Sequence, residues 1–252
     1  MRTIEEIMQI WNDARSIKSE PGTIVPVPLT MEEIDLLNQT ITTRNIDTMI
    51  EAGDLQGAAV EIDLAGNFQH RSQRLLLQYA DRFTDPQMLF DLIVSVYIND
   101  GYNFPKRLIQ KAKQIARQIP AEHRLKGLPA GDTVTIWRGT YVANPNCGKF
   151  LRTDISWTTD KTMAIWFANR IPNPNTPNGK GAVWEGTIAR DKIIAFTQNR
   201  NESEVIQHMN VKAPHILDIS PEEWEAALQH QQAERERHMD EFMEGGQHEP
   251  DT

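Results

Sequence analysis

The chain has 252 residues, 39% hydrophobic and 24% charged, enough for one well-buried core and part of a second at about 150 residues per domain. With 26 Lys and Arg against 35 Asp and Glu, the net charge of −9 excludes the overall basic footprint of a sequence-independent nucleic-acid binder or a polybasic membrane binder. The single cysteine, Cys147, excludes an intramolecular disulfide and any site built from several thiolates, in keeping with a reducing compartment.

Ile4, Ile7, Met8 and Trp11 recur at the three-to-four-residue spacing of one helix face, and Pro21, Gly22, Pro26 and Pro28 end that helix. Glu5 and Glu6 stand where a secretory signal needs basic residues and an unbroken apolar core, so the expected location is cytoplasmic. Thr30-Met31-Glu32-Glu33 spells a capping box that opens a second helix through Ile34, Leu36 and Leu37. Further helices are predicted over residues 46–51, 72–83, 86–99 and 105–118, with Asp85-Pro86 as an opening and Pro120 as a stop. The most apolar run, residues 88–98, is broken by Asp91 and is shorter than the roughly 18 residues of a membrane span.

After Pro129-Ala130-Gly131-Asp132 the pattern changes to short β-branched runs, predicting strands over 133–137, 181–188 and 192–196. A helix over 161–169 interrupts them, with Trp166 and Phe167 expected in the core, and Pro172, Pro174 and Pro177 mark a loop after it. Ser220-Pro221-Glu222-Glu223 opens a last helix toward Met243, followed by a polar end expected to be disordered. The fold class is therefore α+β. The expected organisation is a helical region over 1–130, a strand-rich core over 131–219 and a C-terminal helix and tail over 220–252, without internal repeats.

Three segments of the second half carry chemistry. In Thr135-Ile136-Trp137-Arg138-Gly139-Thr140 an arginine ends an apolar strand, its planar fork suited to a diphosphate or carboxylate, and glycine lets the backbone approach a ligand. Taken alone, this is an ordinary surface arginine before a turn. In Ser156-Trp157-Thr158 strand alternation turns both hydroxyls to one side, while Thr159 or Asp160 caps the helix that follows. In Asn199-Arg200-Asn201-Glu202-Ser203-Glu204 two carboxylates at i and i+2 share one face of a strand, where one raises the other's pKa; solvated glutamates on an edge strand are the bland alternative.

Together, in this order, Arg138, Ser156-Trp157-Thr158 and Glu202-Ser203-Glu204 resemble the Arg–Ser–Glu class of mono-ADP-ribosyltransferases. The resemblance covers residues 131–219 and leaves 1–130 unassigned. It implies a split antiparallel β-sandwich, two small packed sheets whose cleft holds NAD⁺ as co-substrate, with no metal. By the same resemblance Arg138 grips the pyrophosphate or the nicotinamide-side phosphate, and the Gly139 backbone bonds the nicotinamide amide. Ser156 orients the catalytic glutamate and the ribose, with Thr158 in support. Glu204 bonds the ribose 2′-OH and stabilises the oxocarbenium charge as the nicotinamide bond breaks. Glu202 deprotonates or positions the accepting nucleophile, and residues 197–201 form the substrate-recognition loop. Tyr141, Phe150 and Trp157 are the candidates to stack on nicotinamide, and Trp184 is expected in the core. The middle motif reads Ser-Trp-Thr where the family more often has Ser-Thr-Ser, and the interval from Arg138 to Ser156 is short.

A glutamate at position 202 implies protein arginine as the default acceptor. RNA or DNA is the second choice, with Lys106, Arg107, Lys111, Lys113 and Arg117 as a basic cluster that is ordinarily a solvated helix face. Water in place of the acceptor makes the same donor site an NAD glycohydrolase, and a catalytically silent interaction protein is the non-enzymatic alternative. His208 and His215 match no strong metal-ligand spacing. An intracellular enzyme of this class suggests a toxin of a toxin–antitoxin or phage-defence system, with residues 1–130 choosing the target or binding an inhibitor, the antitoxin protein.

Overall fold

The computed structural model describes residues 2–16, 29–66, 70–101, 103–142, 155–170, 180–198, 202–208 and 210–245. The proline-rich segments 21–28 and 172–177, Cys147, Phe150, residues 199–201 and the end of the tail lie outside them. Two compact units result, Met1–Gln110 and Lys111–Thr252. The division falls about 20 residues earlier than the turn at Pro129-Ala130-Gly131 suggests. Leu125 and Leu128 are buried with the strands of the second unit, so the segment before that turn belongs there.

The first unit is helical: α1 (Ile4–Ser16), α2 (Met31–Glu51), α3 (Leu55–Leu64), α4 (Arg71–Tyr79), α5 (Pro86–Asn99) and the start of α6 (Lys106–Ile115). The capping box forms as read, with the Glu33 N–H donating to Thr30 Oγ1 at 3.2 Å and the Thr30 N–H to Glu33 Oε2 at 2.9 Å. Residues 46–51 continue α2 rather than starting a helix of their own. The Thr40 and Thr48 hydroxyls donate to the carbonyls four residues back, Leu36 and Arg44, so these threonines fit a helix interior. Ile7, Leu37, Ile46, Ile62, Leu76, Phe90 and Ile93 are almost fully buried. The Tyr79 hydroxyl donates to Asp47 Oδ1 at 2.8 Å, and burial together with that carboxylate pushes the phenol up to about 12. None of the described helices is long and apolar enough to cross a membrane.

The second unit adds α7 (Ala121–Arg124), α8 (Lys161–Arg170) and α9 (Pro221–Gly245) to strands β1 (Thr133–Val142), β2 (Ser156–Thr158), β3 (Lys180–Ala189), β4 (Ala195–Thr197), β5 (Glu204–Ile206) and β6 (Lys212–Ile216). All pairings are antiparallel, in the order β4-β5-β2-β1-β3-β6. The strands thus form one hydrogen-bonded sheet instead of the two packed sheets of the expected sandwich. The reason is β1, which pairs with β3 along all ten residues and with β2 on its other side, and so joins what would otherwise be separate ladders.

Alternation gives each face its own core. Val134, Ile136, Trp157, Trp184, Ile188, Phe196 and Val205 bury one face together with Leu125 and Leu128. On the other face Val183 packs with Ala164, Ile165 and Ala168 of α8 and Ala227 of α9, with Trp137 and Trp224 half-buried against them. Trp184 is core as expected, whereas Trp166 and Phe167 are only half-buried and meet edge to face at 4.9 Å. They lie off the small-residue stripe that α8 turns to the sheet. β6 is an irregular edge, with Pro214 inside it, Ala213 at φ +46° and a register shift against β3.

The opening of α9 is a second capping box, in which Glu223 N–H donates to Ser220 Oγ at 3.2 Å and Ser220 N–H to Glu223 Oε2 at 3.1 Å. Lys161 at the start of α8 reaches Glu223 at 2.6 Å, and this bond, with the Ser220 N–H, holds the Glu223 carboxyl below the usual carboxylate range. Because the folded value is the lower one, its contribution is complete above the unfolded value and is lost as pH falls through the folded one. Thermal midpoints of wild type and Glu223→Gln will therefore converge as the solution is acidified below the carboxylate range, and the gap at neutral pH will shrink with added salt.

Candidate active site

Strand order brings the three sequence segments together, since β5, β2 and β1 are neighbours. Trp137 is registered with Thr158, and Thr158 in turn with Glu204, whose other neighbour is Thr197. Opposed residues point to the same side, so Thr158, Glu204 and Trp137 share one face, with Ser156 two residues along it, opposite Ile206. Tyr141 is half-buried on the same face by the period of β1. Trp157 lies on the opposite face, 1% exposed, which removes it from the candidates to stack on a ligand.

Arg138 alternates onto the face of Trp184, its partner on β3. Its guanidinium nevertheless reaches the carbonyl of Ser156, tying the start of β2 to β1. The register therefore brings Ser156, Thr158 and Glu204 onto one surface and links Arg138 to them through main chain. It does not place the Arg138 side chain on that surface.

The Glu202-Ser203-Glu204 turn departs from the expected regular strand. β5 starts only at Glu204, and Ser203 has φ +44°, a left-handed conformation that costs a non-glycine residue about 1–3 kcal/mol. Glu202 thus precedes the ladder, and strand alternation does not set its direction. Hydrogen bonds from the end of β2 hold the turn in place. Thr158 Oγ1 donates to the Glu202 carbonyl at 2.7 Å and Thr159 N–H to the Ser203 carbonyl at 3.0 Å. Thr158 is 6% exposed, and its oxygen also accepts the Asp160 N–H at 3.0 Å. Its hydroxyl is committed to main chain, so Thr158 positions the glutamate turn instead of offering a free hydroxyl to a ligand. Asp160 caps α8, accepting from Thr162 N–H at 2.8 Å and Met163 N–H at 3.2 Å.

Gly139 has a structural task that sequence reasoning missed. A Cβ there would overlap the carbonyl oxygen of Ala164 and lie 2.5 Å from the Ala168 nitrogen, so α8 crosses β1 on the bare backbone of this residue. A further polar group was also missed: Trp137 Nε1 donates to Glu185 Oε2 at 2.9 Å, and His215 Nε2 stands 3.8 Å from Glu185 Oε1. Both partners share Glu185's row across β1, β3 and β6, visible only once the register is known. Among the described residues no cluster of three or more His, Cys, Asp or Glu side chains is arranged to hold a metal ion.

No protein-family model, curated protein or solved structure matches the chain.

Proposed function

We propose that the second unit is an NAD-dependent mono-ADP-ribosyltransferase, moving ADP-ribose from NAD⁺ to a macromolecular acceptor with protein arginine as the default. The observation that carries this reading is convergence. Arg138, Ser156-Trp157-Thr158 and Glu202-Ser203-Glu204 are far apart in sequence yet occupy three adjacent strands, with Thr158 paired to Glu204 and Arg138 bonded to the Ser156 carbonyl.

In this reading Glu204, half-buried on the sheet face, accepts a hydrogen bond from the ribose 2′-OH and stabilises the positive charge that develops as the bond from ribose to nicotinamide breaks. Nicotinamide leaves, a new bond forms from the same ribose carbon to the acceptor nitrogen, and the acceptor proton passes to Glu202. The hydrogen bonds from Thr158 and Thr159 hold the two glutamates in their relative placement. Ser156 orients the ribose, and Tyr141, on the same face, is the described candidate of the three to stack on nicotinamide. Arg138, on the opposite face of the sheet, acts through the Ser156 carbonyl that its guanidinium holds, and so positions the strand that carries Ser156. Gly139 supports the site through its packing under α8.

The test is incubation of the purified chain with labelled NAD⁺ and a cell lysate, followed by separate protease and nuclease digestion. Retained label lost on protease treatment is the expected result. Label lost to nuclease moves the acceptor to nucleic acid, and free ADP-ribose without retained label makes the enzyme a glycohydrolase. No NAD⁺ turnover in any fraction overturns the reading.

A further inference from the structure

Away from the candidate active site, the second unit gathers cations around a cavity of about 110 Å³. Lys113 on α6, Arg117 just after it, Arg124 on α7 and Lys192 line it, with Asp191 as the one carboxylate and Ile193 and Ile194 as part of its apolar wall. We infer that this pocket binds a phosphate group.

Lys113 and Arg117 line the same small cavity, where their like charges repel. Arg190 adds a further cation beside Arg124, and burial followed by that repulsion lowers the Arg124 pKa. Asp191 is already engaged by Lys192 at 2.6 Å, and this bond, with Arg124 nearby, holds its carboxyl below the usual range. A chain of net charge −9 thus concentrates positive charge at one spot with too little carboxylate to balance it.

Arg124 gives one guanidinium nitrogen to the Ile193 carbonyl, but its Nε is buried without a hydrogen-bond partner. Of the Arg124 guanidinium only Nη1 is spent on the protein, so the group that lines the cavity keeps further donors for a bound acceptor. The cavity has room for several waters, enough for one phosphate, whose oxygens can accept from donors arriving along several directions. The location adds a use for such a site. Ile194 N–H donates to the Ile206 carbonyl at 2.9 Å, so the pocket lies at one end of the β4–β5 pair that carries Thr197 and Glu204 at the other. Three residues of strand span about 10 Å, within reach of a single-stranded nucleic acid anchored by one phosphate.

Two probes tested on the full chain at low salt, without NAD⁺, separate the source of the phosphate. They are inorganic phosphate by calorimetry and a short labelled single-stranded RNA by anisotropy. Binding of either probe that weakens at least about tenfold in Lys113→Gln/Arg117→Gln, but not in Lys180→Gln/Lys212→Gln with the same loss of charge, is the expected result. Both substituted pairs lie at solvent-accessible positions, and circular dichroism checks that each variant folds. Tight RNA binding with weak phosphate binding assigns the pocket to a nucleic-acid backbone, and the reverse assigns it to a small phosphate compound. Equal weakening in both variants, or no binding of either probe by wild type, overturns the inference. Because the assay involves no turnover, its outcome is independent of the roles proposed for Arg138 and Glu204.

Discussion

Glu204→Gln will slow nicotinamide release from NAD⁺ by about 10³-fold, a loss of about 4 kcal/mol of transition-state stabilisation, while stability changes by no more than about 1 kcal/mol. The substitution preserves shape and one hydrogen-bonding oxygen but removes the charge. Only the charge is worth more in the transition state than in the ground state, so the rate should fall without a matching rise in the KM for NAD⁺. The position is anchored on both sides, opposite Thr158 on β2 and Thr197 on β4, so the side chain is delivered by a paired strand whose backbone the substitution leaves intact. Glu202→Gln provides the contrast. Standing before the strand and assigned to the acceptor, it should lose transfer to protein while retaining NAD⁺ cleavage. Nicotinamide release by chromatography and retained label measure the two activities separately. A fall of less than tenfold in Glu204→Gln would remove that residue from the charge-stabilising role.

The second large effect is structural. Gly139→Ala will destabilise the second unit by about 3 kcal/mol or more, at the upper end of overpacking costs, because the new methyl meets backbone and not a movable side chain. α8 can relieve the clash only by lifting from β1, which would unpack Ala164 and Ala168 from Val183 and disturb the Asp160 cap and the end of β2. For a unit of this size each kcal/mol lowers the thermal midpoint by about 2–4 °C, so a fall near 10 °C is expected by calorimetry. NAD⁺ cleavage should decline with it below the melting range, since the same movement shifts Thr158 and the turn it holds. An unchanged midpoint would mean that α8 does not lie on Gly139.

Much of this architecture is legible in the sequence because it is written in local signals. The boxes at Thr30 and Ser220, the Asp85-Pro86 opening and the β-branched runs after Asp132 each specify their element through nearest neighbours. The misses come where local signals conflict or distant ones decide. Gly53 and Gly57 flank the start of α3 and resemble a turn, yet Asp54 caps that helix by accepting the Gly57 N–H at 2.8 Å. Pro214 conceals β6, because proline opposes a strand except at an edge. In the candidate site the residue types were legible and their directions were not. Ser203 breaks the alternation assumed for the two glutamates, Thr158 spends its hydroxyl on the Glu202 carbonyl, and Gly139 answers to a helix more than twenty residues away. None of these follows from spacing alone.

The irregularity of β6 has a consequence for how molecules of this protein meet one another. An open sheet offers its outer strands as templates to any passing extended chain, the first step of polymerisation. Here one border is β6, where Pro214 lacks an amide hydrogen, Ala213 turns the backbone out of the ladder direction and Lys212 adds a charge. The other border, β4, is only three residues long. Among the described residues neither outer strand presents the long, flat row of amides and carbonyls that an invading chain needs, so the six-stranded sheet they form resists extension at both borders.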